Sequence, residues 1–551
     1  MRGLMMDTPL SIPMILRRTR TLFGHKEIVW RRPDRGVERY TYAACFRRAG
    51  QLTRVLQRLG VRESDRVATL AWNNARHLEA YYGVPSMGAV LHTLNLRLHP
   101  LDLAYIVNHA DDQVILVDDV LLPLWEKVAP RVQVKHVIVM SDGGTAPPGT
   151  LDYEQALAAE AADPLPLDDL DETSAAVMCY TSGTTGKPKG VLYSHRSLVL
   201  HTLGACLADV MDVCERDTVL PVVPMFHANA LGLPFTMALI GAKQVHPGPY
   251  LDAPSLLSLL ESERVTFTAG VPTIWLGILH VLDAEPRRYD LSALRALMCG
   301  GAAPPEAMIR GYQERHGLRV IQGWGMTETA PIGAIGQLTS ALANADSDTQ
   351  YAYRAKAGIP AGLIETRARN DEGLVPWDGL TMGELEVRGP WVASAYYKPE
   401  DPITSFTDDG WFRTGDIVSI DPHGYITIQD RSKDLIKSGG EWISSVALES
   451  ELMGHPDVAE AAVVAIPHAK WDERPLAVVV LKPGRDATAD ALREHLVPKF
   501  AKWWIPDDVV FVESIPKTGT GKFVKSELRE RFQDHYQVAE PAAGGAAGTS
   551  A

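Results

Sequence analysis

The hydrophobic positions near the start of the chain follow two spacings. Apolar residues between Leu52 and Leu59 recur every three or four positions, which predicts a helix, and the mostly apolar residues 66–72 predict a buried strand. The other elements predicted up to residue 118 are, in order, a helix near 15–23, strands at 27–30 and 38–42, a helix at 77–87, a strand at 89–91, a helix ending near 109 and a strand at 114–118. Strands that alternate with helices indicate a layered α/β domain.

Apolar runs that end in turns recur later in the chain. They predict strands within residues 219–230, 266–273 and 296–304. The last hundred or so residues carry a pattern of their own, with predicted strands at 458–466, 476–481 and 508–512 and a predicted helix at 489–496. This region is long enough for a small independent domain. Residues 141–171 are rich in Gly, Pro, Ala and acidic residues, and we expect a connector there.

The composition is that of a globular protein with several subdomains. A chain of 551 residues is too long for one core, and with 46% hydrophobic and 22% charged residues it can bury large cores. The net charge of -14 and the absence of a Lys/Arg-rich run argue against nucleic acid as a partner. The five cysteines lack CxxC pairs and metal-ligand spacing, which is typical of buried thiols in a reducing cytosol.

Membrane insertion is also not expected. The first residues lack the continuous apolar core of a signal peptide, and no stretch approaches roughly 18 uninterrupted apolar residues. We therefore expect a cytoplasmic protein without a transmembrane segment, in which any lipid contact is peripheral.

The densest signal for chemistry is the stretch CYTSGTTGKPKG at residues 179–190. Four small hydroxyl residues and three glycines lie there between two apolar runs, so we expect a loop between two strands. Backbone N–H groups, hydroxyls and the charges of Lys187 and Lys189 suit a polyphosphate. A Walker A loop is excluded, because Thr181 stands at its required first glycine and Pro188 follows the lysine. For this stretch alone, a flexible connector remains the alternative.

Four more stretches stand out by their composition. Residues 322–329 (QGWGMTET) and 411–416 (WFRTGD) combine glycine, threonine, an aromatic ring and an acid. Residues 516–523 (PKTGTGKF) look like a second phosphate loop but are not a Walker A loop, because Pro516 occupies the first glycine position. Residues 430–442 (DRSKDLIKSGGEW) crowd charges before two glycines, which indicates an exposed, bendable junction, although a charge run is usually only a solvated face.

In this order, the stretches resemble the motifs of the adenylate-forming superfamily, which includes acyl-CoA synthetases, luciferases and the adenylation domains of peptide synthetases. The resemblance covers residues 16–531. It implies an α/β fold class, with a large N-terminal domain of several layered α/β subdomains and a small, mobile α+β C-terminal domain. The implied boundaries are an adenylation domain at 1–429, a hinge linker at 430–436 and a C-terminal domain at 437–537, and we expect the Ala- and Gly-rich residues 538–551 to be disordered.

The resemblance also implies the chemistry. A carboxylate substrate attacks the α-phosphate of ATP, pyrophosphate leaves, and the acyl-adenylate reacts with the thiol of CoA. Because the substrates are the nucleophiles, no Ser-His-Asp triad is needed. The implied catalytic residues are Lys522, Glu328 and Thr184, of which Glu328 and Thr184 hold Mg²⁺, a cation that needs few carboxylates when it bridges phosphates. The ring implied to stack on adenine is Trp324, where many relatives have tyrosine and therefore a hydroxyl.

The remaining site residues are carried over by motif. The residues implied to bind ATP are Thr181, Ser182, Gly183, Thr184, Thr185, Lys189, Ala302, Gln322, Gly323, Trp324, Thr327, Asp416, Arg431, Lys433, Lys437 and Trp442. Those implied to bind the acyl group are His227, Ala228, Leu231, Gly232, Val271, Pro272, Trp275, Gly300 and Gly301. Those implied to bind CoA are Gly439, Gly440 and Glu441. A lone histidine is more often structural than catalytic, and His227 is given no acid–base role.

Within the superfamily, residues 91–98, 437–445 and 471–475 look most like the branch of medium- and long-chain fatty acyl-CoA synthetases, which also contains ligases for methylmercaptopropionate. Where those relatives have Asn-Ala-Trp after the histidine, this chain has Asn-Ala followed by Leu231 and Gly232. The family tryptophan gates the acyl tunnel, so its loss predicts a site that is open before ATP binds. The branch resemblance also predicts a homodimer.

Three alternatives to this interpretation stay open. A free-standing adenylation enzyme would pass its acyl group to a carrier protein, and a luciferase-like enzyme would oxidise its adenylate. A non-catalytic binding protein of this fold would be expected to have lost Lys522 or Glu328, and both are present.

Overall fold

The chain folds into alternating helices and strands, as its hydrophobic pattern predicts. The computed structural model describes residues 1, 3–143, 146–181, 187–400, 402–438, 441–468, 470–518 and 522–536. The helices are α1 (Ile12–Leu22), α2 (Tyr42–Arg58), α3 (Ala75–Ser86), α4 (Pro100–Ala110), α5 (Leu122–Val128), α6 (Tyr153–Ala158), α7 (His195–Ala205), α8 (Leu233–Ile240), α9 (Ala253–Ser262), α10 (Pro272–Ala284), α11 (Glu306–His316), α12 (Ser347–Arg354), α13 (Ser445–Gly454), α14 (Ala489–Leu496) and α15 (Lys525–Phe532).

The strands are β1 (Glu27–Arg31), β2 (Val37–Thr41), β3 (Arg66–Leu70), β4 (Val90–Thr93), β5 (Asp112–Asp118), β6 (His136–Met140), β7 (Leu151–Asp152), β8 (Ala175–Tyr180), β9 (Gly190–Ser194), β10 (Thr218–Pro221), β11 (Lys243–His246), β12 (Phe267–Gly270), β13 (Ala296–Gly300), β14 (Arg319–Gly325), β15 (Ile332–Ile335), β16 (Ile359–Pro360), β17 (Glu365–Asn370), β18 (Gly373–Leu374), β19 (Gly383–Arg388), β20 (Phe412–Ile420), β21 (Ile426–Arg431), β22 (Ile436–Ser438), β23 (Glu441–Ile443), β24 (Val458–His468), β25 (Asp472–Leu481) and β26 (Asp508–Phe511).

Two mostly parallel sheets form the large part of the molecule. One has the strand order β16-β15-β14-β13-β12-β10-β11-β1-β2, with parallel pairing from β14 to β1, and the other has the order β7-β6-β5-β3-β4-β8-β9, with parallel pairing up to β8. The register pairs Thr268 with Leu297 in the first sheet and Val67 with Leu91 in the second. The carboxyl ends of parallel strands share one edge of a sheet, and α/β folds bind ligands at that edge.

Two smaller sheets complete the fold. The antiparallel sheet β18-β17-β19-β20-β21 follows the first two, and the C-terminal sheet contains β22 to β26. In the C-terminal unit, α13 and α14 bury Leu448 and Leu492 in one hydrophobic cluster, and α15 buries Leu528 in a second cluster. This unit therefore has hydrophobic cores of its own. Over the described residues, no helix is both long and apolar enough to cross a bilayer.

The connector predicted at residues 141–171 is wrong in part. It contains β7, which pairs with β6, and α6, whose Asp152 cap accepts from the N–H of Gln155 over 2.8 Å. Tyr153 and Leu165 are fully buried in the main core. The composition of this segment, rich in Gly and Pro, gave no indication of these few apolar contacts. The pattern also missed β22, β23, α13 and α15, and the tail expected at 538–551 lies outside the described residues.

Candidate active site

Two of the three catalytic residues predicted from the sequence, Lys522 and Glu328, lie near the carboxyl edge of the nine-stranded sheet, and the third, Thr184, lies outside the described residues. Gly301 follows β13 with a positive φ of 86°, and a Cβ built on it would lie 3.4 Å from Cγ1 of Val271 and 3.6 Å from Cε of Lys522. A Cβ at position 301 would thus make ordinary van der Waals contact with both neighbours, and it is the positive φ that favours glycine there. Val271 comes directly after β12, so the lysine of the C-terminal unit reaches the ends of two adjacent strands.

The loop that carries Lys522 is closed by hydrogen bonds at its base. The N–H of Thr518 donates to the carbonyl of Lys522 over 2.7 Å, and the N–H of Lys522 donates to the hydroxyl of Thr518 over 3.1 Å. Burial, and then the guanidinium of Arg431, lower the pKa of Lys522 to about 8, although Asp416 and Glu328 act in the opposite direction. The ammonium thus lies within reach of these three charges.

The lowered pKa predicts an alkaline limb in the pH profile of adenylation. Lys522 is charged below about pH 8 and loses its charge as the pH rises through that value. Only the charged form can stabilise an anionic phosphate. We expect kcat/KM for ATP, measured by ATP–pyrophosphate exchange, to fall above this pH by roughly tenfold per unit. In Lys522→Arg the limb should disappear, because a guanidinium stays charged. A limb that persists in Lys522→Arg would belong to another group.

Asp416 is the centre of a second cluster. Its side chain is 4% exposed, with Nε of Arg431 2.6 Å from Oδ1 and the indole N–H of Trp324 donating to Oδ2 over 2.9 Å. A Cβ on Gly333 would lie 2.3 Å from the Trp324 ring, so the indole packs closely against the backbone of β15. A flat ring held in this way is suited to stack on a purine.

Glu328 connects the motif after β14 to the base of the phosphate loop. The hydroxyl of Tyr396 donates to Oε1 of Glu328 over 2.6 Å, and the ammonium of Lys189 lies 4.9 Å from the centre of the Tyr396 ring. The N–H of Lys189 in turn donates to the hydroxyl of Thr181 over 3.0 Å, which closes the loop at its two ends. The predicted loop residues Ser182, Gly183, Thr184 and Thr185 lie outside the described residues.

The sequence reasoning missed Tyr396. Burial, and then the charge of Glu328, raise the pKa of this phenol, so it keeps its proton and remains a donor to the carboxylate. The only signal in the sequence is a pair of tyrosines before a Lys-Pro turn, which no spacing rule connects to Glu328. Contact between the two residues arises from the fold, across 68 positions of the chain.

The donor set fits a magnesium–nucleotide complex. Glu328 is 5% exposed, and among the described residues its carboxylate accepts one hydrogen bond, at Oε1, which leaves Oε2 for a cation. One carboxylate is appropriate for Mg²⁺, which usually keeps several waters and binds to phosphate oxygens. Lys189, Arg431 and Lys522 supply positive charge around the same region.

Of the other residues predicted to bind the nucleotide, Gln322 and Thr327 form hydrogen bonds within the protein. In the orientation that satisfies its hydrogen bonds, the amide of Gln322 donates to the carbonyl of Lys356 over 2.9 Å. The carbonyl of Thr327 accepts from the hydroxyl of Tyr193 over 2.6 Å. Gly323 lies at the end of β14, in register with Gly300, while burial lowers the pKa of Lys433 in the linker. Ala302 is exposed just after Gly301.

Four more predicted residues lie in the C-terminal unit or in α10. Lys437 and Trp442 face each other across the β22–β23 pair, with the ammonium 5.8 Å from the centre of a half-exposed indole. Trp275 is 1% exposed, and its indole N–H donates to the carbonyl of Met298 over 3.0 Å. Glu441 lies in β23, whereas Gly439 and Gly440, also predicted to bind CoA, lie outside the described residues.

The segment expected to gate the acyl site has an unusual backbone. In the short 3₁₀ helix Ala228–Gly232, Ala228, Leu231 and Gly232 have φ values of 39°, 61° and 69°. A Cβ on Gly232 would lie 2.6 Å from Nδ1 of His201, so no other residue fits there. Burial, and then the charge of Lys522, lower the pKa of His227 to about 4, which keeps its imidazole neutral. Pro272, the first residue of α10, is buried beside Val271.

Comparison with known proteins gives this geometry a family. A family model described as AMP-binding enzyme matches residues 17–397, and one described as AMP-binding enzyme C-terminal domain matches residues 447–522. The chain belongs to the AMP-binding enzymes. The long-chain-fatty-acid–CoA ligase of Thermus thermophilus is 51% identical to this enzyme over 536 residues, which cover 97% of each chain.

Two further relatives match along nearly the whole enzyme. The 3-methylmercaptopropionyl-CoA ligase of Ruegeria pomeroyi is 44% identical, over 97% of this chain and 99% of the relative. The medium-chain-fatty-acid–CoA ligase of Ectopseudomonas oleovorans is 42% identical, over 97% and 98%. Among solved structures, ATP-bound MatB from Rhodopseudomonas palustris superposes with a TM-score of 0.81 at 26% identity, over 96% of this chain and 100% of that one. The predicted superfamily, fold class and CoA-ligase type of activity are confirmed.

Proposed function

We propose that the enzyme is an ATP-dependent acyl-CoA synthetase for a medium- to long-chain fatty acid. The carboxylate attacks the α-phosphorus of ATP. The bond between the α-phosphorus and the oxygen that bridges to the β-phosphate breaks, and pyrophosphate leaves. The thiol of CoA then attacks the acyl carbonyl and displaces AMP. The observation that carries the proposal is the position of Lys522 beside Gly301 and Val271, among the charges of Asp416 and Glu328. The names of the relatives support the substrate class.

Each charged group has a task that the chemistry requires. Asp416, oriented by Arg431 and Trp324, would accept the two ribose hydroxyls, because each of its oxygens keeps a free lone pair. Lys522 would stabilise the charge that develops on the α-phosphate. Glu328 would hold Mg²⁺, which when bound neutralises phosphate charge.

Acid-dependent ATP–pyrophosphate exchange tests the first step, and release of free acyl-CoA tests the second. We expect exchange only when a fatty acid is present, and a panel of acids from short to long, assayed by CoA consumption, should peak at medium or long chains. A peak at a short thioether acid would instead favour the activity named for the Ruegeria relative. Exchange without acyl-CoA release would favour an enzyme that loads a carrier protein.

Leu231 carries a prediction about gating. An indole at the mouth of an acyl tunnel obstructs it, whereas leucine beside Gly232 obstructs it less, so we expect a fatty acid to bind the ATP-free enzyme. Leu231→Trp should make acid binding depend on ATP. Each excluded methylene is worth about 0.8 kcal/mol, so a gate that excludes two or three shifts the Kd by roughly tenfold or more. Calorimetry with a medium-chain acid, with and without a non-hydrolysable ATP analogue, measures this shift.

The matched control for the gate is Leu231→Met, which nearly preserves the side-chain volume at a position with positive φ. It should bind the acid as the wild type does. If the wild type binds the acid only after the nucleotide, and Leu231→Trp behaves in the same way, then Leu231 is not the gate.

We further propose that the enzyme is a homodimer and that it is located in the cytoplasm. We also propose that residues 430–436 form a hinge between a domain at 1–429 and a domain at 437–537. Free thiols at all five cysteines support a reducing compartment. The dimer rests on the resemblance to the branch of fatty acyl-CoA synthetases and on the common preference of soluble enzymes for two-fold assemblies. Light scattering at micromolar concentration should give twice 60.3 kDa, and the monomer mass would contradict the dimer.

A further inference from the structure

Lys525 lies three residues after Lys522 and is the first residue of α15. Its side chain is 11% exposed, its ammonium lies 2.8 Å from Oε1 of Glu449, and it donates to the hydroxyl of Ser445. Both partners belong to α13. One ammonium thus ties the end of the lysine-bearing loop to another helix of the C-terminal unit.

The same serine connects α13 to the linker and to the nucleotide cluster. The N–H of Ser445 donates to Oδ2 of Asp430 over 3.0 Å, and its hydroxyl donates to the same oxygen. Asp430 is 2% exposed and directly precedes Arg431, whose guanidinium pairs with Asp416. A path of polar contacts therefore runs from Lys525 to the residue expected to hold the ribose.

The charges make this path depend on Lys525. Burial raises the pKa of Asp430, and burial raises the pKa of Glu449 to about 7. Burial also disfavours the charge on Lys525, but Glu449 and Asp430 outweigh it and raise the pKa of the ammonium. Lys525 is thus the counter-charge of two buried carboxylates. Removing one partner of a buried ionic group leaves the others uncompensated, which favours rearrangement of the segment that carries them.

A second lysine in the same loop provides a contrast. Lys517 pairs with Glu460, but the two side chains are 32% and 23% exposed, and solvent screens such a pair. On the next turn of α15, Arg529 pairs with Asp434 of the linker. Side chains of α15 itself, Lys525 and Arg529, therefore hold this helix against α13 and the linker. Lys517 contributes little to that attachment.

We propose that Lys525 is a positioning residue for the adenylation step. By holding α15 against Ser445 and Asp430, it sets where Lys522 stands relative to Asp416. It does this without touching a substrate. The inference rests on the proposed function, in which Lys522 acts in adenylation. A displacement of about 1 Å at a reacting group can cost roughly a hundredfold in rate, so the effect should be large for a residue outside the site.

The test compares the two half-reactions in Lys525→Met, Lys525→Arg and Lys517→Met. We expect Lys525→Met to lower kcat for acyl-adenylate formation by about 10- to 100-fold, with KM for ATP within about twofold, because Asp416 and Trp324 still bind the nucleotide. Conversion of supplied acyl-adenylate to acyl-CoA should be unchanged. Lys525→Arg keeps the charge and should recover most of the rate, and Lys517→Met should match the wild type.

A structural role alone predicts a different pattern. Both half-reactions would then fall together with the melting temperature, and this result, or wild-type adenylation in Lys525→Met, would overturn the proposal. If Lys525→Met does not fold, Ser445→Ala replaces it with the same expected pattern, since it removes the hydroxyl that joins Lys525 to Asp430 and keeps the pair of Lys525 with Glu449.

Lys522→Ala, assayed alongside, separates the two proposals. If Lys522→Ala impairs both half-reactions, the role proposed for Lys522 is wrong, and Lys525 is still a positioning residue only if Lys525→Met also impairs both half-reactions at an unchanged melting temperature. If Lys522→Ala impairs adenylation alone and Lys525→Met does not, only the inference about Lys525 is overturned.

Discussion

We expect the substitution Lys522→Ala to lower the rate of acyl-adenylate formation by on the order of 10²–10³-fold, the usual effect of removing one preorganised charge from a reacting centre. The ammonium reaches the edge of β12 and β13 in a setting where burial strengthens its interaction with an anion. In the same variant, supplied acyl-adenylate should still be converted to acyl-CoA at a rate within about twofold of wild type, because rotation of the C-terminal domain about the proposed hinge removes Lys522 from the second step.

Two measurements distinguish the loss of a catalytic charge in Lys522→Ala from a loss of folding. Burial disfavours the charged form of Lys522 in the folded state and lowers its pKa, so removing the ammonium should leave the melting temperature unchanged or raise it. Lys517→Ala, in the same loop, removes a partly exposed lysine that pairs with Glu460 and should leave both half-reactions intact. Equal loss of both steps in Lys522→Ala would contradict the assignment.

The second large effect is expected for Glu328→Gln. The amide is isosteric and its carbonyl can still accept from the hydroxyl of Tyr396, but the negative charge is gone. We expect adenylation to fall by on the order of 10²–10³-fold at fixed Mg²⁺, because a neutral oxygen is a weak ligand for a hard cation. Raising the Mg²⁺ concentration should recover part of the rate. Pyrophosphate exchange measured across a Mg²⁺ titration gives both quantities.

Tyr396→Phe is the matched control for this variant. It keeps the carboxylate and removes only the hydrogen bond to Oε1, which is worth about 1.5–3 kcal/mol when one partner is charged. Its rate should lie between those of the wild type and Glu328→Gln, with a Mg²⁺ dependence close to that of the wild type. A Mg²⁺ dependence in Glu328→Gln that matches the wild type would assign the cation to other ligands.

The local parts of the site could be predicted from the sequence because each is a short string with a physical reason. The loop at 179–190 connects two strands, as expected of small residues between apolar runs, and Pro188 is followed by β9 rather than by a helix. Glycine is favoured at position 301 because its φ of 86° lies in the left-handed region, which residues with a Cβ rarely adopt. Such constraints act on the backbone of a few neighbouring residues and leave a visible pattern.

The contacts between distant segments could not be predicted in this way. The hydrogen bond from Trp324 to Asp416 spans 92 positions, and that from Tyr396 to Glu328 spans 68. Both depend on how sheets pack against each other, which no local spacing encodes. Trp275 shows a different limit, because one apolar pattern is typical both of a core residue and of a pocket wall. Its indole is buried and donates to the carbonyl of Met298.

The approach of His201 to Gly232 has a consequence for laboratory evolution of acyl selectivity. Randomising the 3₁₀ segment would not sample its positions evenly, because any Cβ at 232 meets the imidazole 2.6 Å away, while Leu231 is only partly buried. Useful diversity in a library should therefore come from residue 231, and replacements at 232 should be recovered only together with a smaller residue in place of His201. Substitutions at positions 201 and 232 would therefore be coupled, and selection would recover them as pairs.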